Sequence, residues 1–257
     1  MADMKKYSGL LGLLGFLVLL FVLLRRPTVV SGTELGYRLP PGAPADVENI
    51  VRARVDALGL QGEVERQDDL LLVRIPNATG EDVGNVKRLL HRKGRLEFRA
   101  AAEPAAQLKF KADGIVPEGF EAIESKDPEY SPRMLVEKAC ALGGGRIVKA
   151  EPRSELLPGG VAWVVEFELD ERGGRAFDEA AARLFARRPP GLIAILLDGK
   201  LQSAPAVQTD KFGGSGRITA VGGEREAKDL AIVLVTGELP LPLDGPPEFE
   251  RPFQKTR

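Results

Sequence analysis

The spacing of apolar positions divides this chain into stretches of different period. Glu34 to Leu39 reads as a strand. In Asp46 to Leu58, Val47, Ile50, Val51, Val55 and Leu58 recur at helical spacing, Asp46 lies near the start and Gly59 stops the run, so an amphipathic helix is expected. Glu63 to Gln67 and Leu70 to Ile75 read as short strands around Asp68-Asp69. Thr79 with Asp82 forms a capping pair for a second helix, whose apolar face is Val83, Val86, Leu89 and Leu90 and which Gly94 closes. Arg95 to Ala101 resumes a strand. The order β-α-β-β-α-β predicts a ferredoxin-like base over 28–101, a four-stranded sheet with both helices on one face. Arg54 and Asp56 fall among the charged positions of the first helix and are expected to face solvent.

Residues 102–132 lose the pattern. Pro104, Pro117, Pro128 and Pro132, with Gly114 and Gly119, suggest a linker. A second α+β lobe is then expected over 133–243. Met134 to Lys138 opens it and Ile147 to Arg153 is a strand. After Leu157-Pro158-Gly159-Gly160 turns the chain, Val161 to Leu169 alternates, with Val161, Trp163, Val165, Phe167 and Leu169 on one face. Glu166 and Glu168 fall on the other face, where they read as surface charge. Asp170 caps a helix reaching Arg188, with Ala176, Phe177, Ala180, Leu184 and Phe185 on its apolar side, and Pro189-Pro190 ends it. A last helix runs from Glu224 to Thr236, and the tail 244–257 reads as loose.

Between those helices lies a hairpin. Leu192 to Leu197 is an apolar run of strand length, Asp198-Gly199 supplies a tight turn, and Lys200 to Val207 returns, with Pro205 marking an edge or a bulge. Gly213-Gly214-Ser215-Gly216 looks like a phosphate cradle, but Arg217-Ile218-Thr219 continues as a strand instead of opening a helix. A flexible turn is the reading, with Asp198, Gly199, Gly213, Gly214 and Gly216 as the turn motif.

Composition narrows the chemistry. The formal charge is −1 over 257 residues with no long basic block, so no nucleic-acid partner is expected. Cys140 is the only cysteine and His91 the only histidine. No internal disulfide and no Cys/His metal cluster can form, and no cofactor is expected. His91 sits at a helix end, where a cation suits the dipole. No nucleophile, base and orienting group fall together, so the chain is not expected to be an enzyme.

At the N-terminus, Tyr7 to Leu24 is uncharged and apolar between Lys5-Lys6 and Arg25-Arg26, which predicts a transmembrane anchor over 1–27. A cleaved signal peptide fits less well, because Arg25, Arg26 and Pro27 separate the apolar run from Val29-Val30-Ser31. Gly9, Gly12 and Gly15 offer a face for close helix packing.

These motifs resemble the periplasmic region of the SecD protein-export family. The resemblance rests on Asp198-Gly199-Lys200, Ser203-Ala204-Pro205, Gly213 to Thr219, and Glu226-Ala227 with Leu230-Ala231. It extends to Arg52-Ala53-Arg54-Val55-Asp56-Ala57-Leu58-Gly59 and to Leu96-Glu97-Phe98-Arg99. The family's early Gly-Leu-Asp-Leu-x-Gly-Gly motif is absent, with only Thr33-Glu34-Leu35-Gly36 nearby. The resemblance implies a ferredoxin-like base with an inserted head, the N-terminus inside the cytoplasmic membrane and the bulk of the chain outside it. It also implies exported polypeptides as ligands and the Sec translocon or a SecF-like subunit as partner. The chain ends where the family's further membrane helices would begin, so no proton channel of its own is expected. On the residues alone, an exposed edge at Leu201 to Val207 would take up an unfolded segment by strand addition, with Leu201, Gln202, Ala204 and Val207 at the contact. The plainer alternative is a sheet edge blunted by Pro205. A further alternative is a docking module for another membrane protein such as a SecF-like subunit.

Overall fold

The computed structural model describes residues 29–125, 132–157, 160–219, 222–243 and 245–256. Val29–Arg38 (β1) leads into helix Asp46–Ala57 (α1), the hairpin Glu63–Gln67 (β2) and Leu70–Pro76 (β3), and helix Gly80–Leu90 (α2). Both helices cover one face of the sheet. Val47, Val51 and Val55 of α1 and Val83, Val86 and Leu90 of α2 are buried against Leu35, Tyr37, Leu71, Val73 and Ile75. A reciprocal cap starts α2: the Thr79 hydroxyl accepts from the Asp82 N–H, and the Thr79 N–H donates to the Asp82 carboxylate at 2.9 Å. His91 is the residue that ends this helix.

With Phe249–Thr256 as β12, the strand order is β12-β1-β3-β2, the order of a ferredoxin-like sheet. Its fourth strand is not Arg95 to Ala101, as the local order suggested, but Phe249–Thr256 (β12), which pairs antiparallel with β1 from Val29↔Thr256 to Gly36↔Phe249. The tail is therefore a strand and not loose. Two glycines of β1 make room for it. A Cβ on Gly36 would lie 2.4 Å from the Phe249 ring, and one on Gly32 would lie 2.8 Å from the Phe253 ring. Pro252 is tolerated because β12 is an edge strand.

The opposite face of this sheet carries a ladder of ions across three strands. Glu34 of β1, only 3% exposed, lies between Arg74 of β3 at 2.5 Å and Arg251 of β12 at 2.6 Å. Burial pushes the Glu34 carboxyl up, but the hydrogen-bonded guanidiniums of Arg251 and Arg74 outweigh it and hold the pKa below the usual value. A carboxylate depressed by folding adds stability above its unfolded pKa and loses it as the pH falls through the folded one. Glu34→Gln is thus expected to cost about 1.5–3 kcal/mol at pH 7. In urea titrations that gap should close as the pH is lowered below the ordinary value of 4.5. A gap independent of pH would show that the ladder does not hold the carboxylate ionised.

Leu96–Ala101 (β4) is buried at every position, which suits the centre of a sheet and not an edge. It begins the second lobe, together with helix Pro104–Asp113 (α3), Phe120–Glu124 (β5) and Arg133–Gly143 (β6). Over its described residues the expected linker is therefore an integral part of this lobe. Next come Ile147–Leu157 (β7), Gly160–Leu169 (β8), helix Glu171–Phe185 (α4), Ile193–Leu197 (β9), Lys200–Ser203 (β10), Ser215–Ile218 (β11) and helix Glu224–Thr236 (α5). The strands form a five-stranded sheet, β10-β9-β4-β6-β5, and a three-stranded one, β11-β8-β7. One core joins these two sheets to α4 and α5. At its centre the Phe98 ring lies 5.5 Å from Phe167 and 5.4 Å from Phe177. Glu166 and Glu168 lie outside this core, beside Arg153 and Lys149, as surface charge.

The transmembrane helix expected over 7–24 lies outside the described residues. Among the described residues no helix is long and apolar enough to cross a membrane. The single-pass, membrane-anchored reading is therefore carried by no helix among the described residues. The described residues form an α+β architecture.

Arg54 also departs from expectation. It is fully buried where the lobes meet, with 0% exposure, and not on a solvated helix face. Its guanidinium donates to the carbonyls of Leu89 at 2.8 Å, Lys93 at 3.0 Å and Gly237 at 2.9 Å, and to that of Arg92. The end of α2, the crossover into β4 and the exit from α5 thus share one side chain. Burial pushes its pKa down to about 10, against the pull of Asp198, so the group stays charged at neutral pH.

Candidate functional site

The expected hairpin forms. β9 is buried throughout, and Asp198, with φ of 52°, and Gly199, with φ of 76°, make the turn. Asp198 does more than turn the chain. Its carboxylate accepts from the N–H groups of Gly94 and Arg95, both at 2.8 Å, and so fastens the hairpin to the joint between the lobes. The return strand pairs with β9, shifts register between Leu201 and Ser203, and pairs again through an Ala206↔Leu192 bridge.

The predicted contact residues divide between inside and outside. Leu201 is 4% exposed and packs with Ile123, Val136, Ala194 and Leu196, and Val207 is 1% exposed in the main core. Gln202 and Ala204 are partly exposed. Nor is the edge fully open, because Ser125, just past β5, bridges to Leu201 in parallel. The five-stranded sheet curls far enough for its two outer strands to meet, which no local pattern in the sequence reports.

The glycine loop is a packed clamp. The N–H groups of Phe212 and Gly213 both donate to Asp178 of α4, at 2.7 and 3.2 Å, so the protein's own carboxylate holds the start of the loop that resembled a phosphate cradle. The Gly214 carbonyl accepts from Leu169 N–H at 2.7 Å, while a Cβ on Gly216 would lie 2.5 Å from the Phe167 ring.

Beside the return segment runs a groove of about 770 Å³. Its walls come from α3, the end of α4 and the segments flanking the hairpin, with Pro104, Phe185, Pro190, Leu192, Ala206 and Val207 as the main apolar lining. Phe185, expected on the buried side of α4, is 36% exposed here. It escapes the core because α4 ends there, and Arg187, Pro189 and Pro190 carry the chain away. The groove's backbone donors are largely committed: Gly191 N–H to Leu184, Val207 N–H to Gly191 and Ile193 N–H to Pro205. It therefore recognises side chains more readily than backbone, and what the sequence missed is that the apolar surface lies behind the return strand and not along its edge. Among the described residues no group of three or more His, Cys, Asp or Glu could hold a metal ion.

Residues 120–241 match the family model described as SecDF, P1 head subdomain. The chain is 32% identical over 201 residues to the protein translocase subunit SecD of Magnetococcus marinus, covering 76% of this chain and 36% of that one. It is 30% identical over 217 residues to SecD of Acetobacter pasteurianus, covering 84% and 39%. The matched region is thus well under half the length of these relatives. A solved structure of SecDF, described as a membrane component that enhances protein export, aligns with a TM-score of 0.60 at 20% identity, covering 81% of this chain and 96% of that one. SecDF in a super-membrane-facing form aligns with a TM-score of 0.62 at 21% identity, covering 99% and 35%. At those identities the structural likeness establishes the fold.

Proposed function

We propose that this chain is a SecD-like extracytoplasmic domain that holds unfolded polypeptide as an accessory to Sec-dependent protein export. The role is non-catalytic: the domain binds chain and makes no bond. The observation that carries the reading is that the match to the SecDF head, over 120–241, covers most of the lobe and includes Phe185 and the Leu192 to Val207 hairpin beside the groove. In this reading Gln202, Ala204 and Ala206 meet the bound segment, Val207 forms part of the groove floor, and Leu201 supports the hairpin from within. Apolar lining accepts varied sequences, because burial of apolar area is non-directional. The Sec translocon or a SecF-like subunit is the partner that would deliver the polypeptide.

The test is photo-crosslinking from Gln202 and Ala206 while a secreted precursor is in transit, with Arg217 on the three-stranded sheet as control. Adducts with many precursors at the first two positions and few at the control are expected. Adducts with one folded subunit alone would replace this reading with a docking module. In a separate binding assay, Phe185→Asp is expected to weaken the affinity for a reduced, carboxymethylated protein at least about tenfold, the equivalent of about 1.4 kcal/mol. Unchanged affinity would remove the groove from the mechanism.

A further inference from the structure

The polar rim of the Phe185 groove is not neutral in its commitments. Three arginines stand near the end of α4, at positions 183, 187 and 188. Arg183 is bound to Glu137 at 2.9 Å, and Arg187 is bound to Glu137 at 3.2 Å, approaches Glu103 at 3.9 Å and donates to the Ala101 carbonyl at 3.0 Å. Glu137 is therefore already engaged, while Glu103 makes only a long contact and stays largely exposed. Arg188 lines the groove and is exposed, and among the described residues it pairs with no carboxylate. One of its terminal nitrogens, Nη1, donates to the carbonyls of Phe185, Ala186 and Arg187, at 3.1, 3.4 and 2.9 Å. These contacts hold the guanidinium at the helix end without neutralising it.

Resting on the polypeptide-binding reading above, we propose that the groove prefers extended apolar segments flanked by an acidic residue, whose carboxylate pairs with Arg188. The apolar walls supply sequence-tolerant contact. Arg188 supplies a charge preference, and a guanidinium already oriented by backbone carbonyls loses less freedom on meeting a carboxylate than a free side chain does. A basic flank would meet an unneutralised cation and bind less well.

Fluorescence anisotropy with three labelled nonapeptides tests this. All share an alternating leucine and serine core, and they differ only in a flanking glutamate, glutamine or lysine. The glutamate peptide is expected to bind about three- to fivefold tighter than the glutamine peptide, the range of an exposed ion pair, and the lysine peptide weakest. The advantage should shrink as salt shortens the Debye length. Arg188→Gln keeps a donor for the helix-end carbonyls but removes the charge, so it should abolish the preference, and Arg188→Lys should retain it. Equal affinity for all three peptides, with loss of binding in Phe185→Asp, would overturn the charge preference and leave the groove reading standing. No binding by any peptide would overturn both.

Discussion

Replacing Arg54 by methionine is expected to lower the stability of the chain by about 3–5 kcal/mol, the cost of breaking a buried charged network on one side. Methionine preserves much of the apolar volume, so packing is not the main loss. The loss is of donors: the carbonyls of Leu89, Arg92, Lys93 and Gly237 all face this guanidinium. Buried ion pairs are often replaceable when both partners become apolar, but here the partners are backbone groups that no substitution removes. Arg54→Lys should also destabilise, because an ammonium cannot span carbonyls set on separate chain segments. Urea unfolding of the three proteins measures this. A methionine variant within about 0.5 kcal/mol of the parent, the range of an ordinary surface substitution, would show that the joint does not depend on the guanidinium.

Removing residues 245–257 is expected to unfold the base lobe or drive it to associate. The truncation strips β12 from β1, leaves the row of backbone groups from Val29 to Gly36 unpaired and takes Arg251 from Glu34. It also uncovers Gly32 and Gly36, over which the Phe253 and Phe249 rings lie. An open edge with two glycines has few side chains to protect it and pairs readily with another chain. Size-exclusion chromatography should show association, and hydrogen exchange should show lost protection over Val29–Arg38. A synthetic peptide of residues 247–256 added in trans should restore both. A monomeric truncation with unchanged protection in β1 would mean that the strand adds nothing to the base.

The local pattern identified both helices of the base, the capping pair at Thr79, the β2–β3 hairpin and, in the second lobe, helices α4 and α5 but not α3, because each element identified depends on side chains a few residues apart. The Asp198-Gly199 turn was legible for the same reason. The sequence did not reveal which strands share a sheet. Leu96–Ala101 follows α2 in the place of a fourth ferredoxin-like strand, yet its burial on both faces suits the middle of another sheet. The vacant position beside β1 goes to a polar, Pro-containing segment that reads as a tail, because edge pairing needs a free backbone and two aromatic rings to cover glycines, and little apolar run.

The site divides in the same way. Residue types and spacing marked the hairpin, and the resemblance pointed to its neighbours in function, but accessibility depends on what packs behind each face. Leu201 and Val207 are apolar because they are buried, while Phe185 is exposed because its helix ends at the groove. Arg54 shows the limit most plainly. In sequence it is one of several charged positions on a helix, and its four carbonyl partners come from the end of α2, the segment just after it and the exit from α5, all far from it along the chain. Periodicity determined the elements, since it records local geometry. Tertiary structure alone decided pairing, exposure and the joint, since each rests on contacts between residues far apart in the chain.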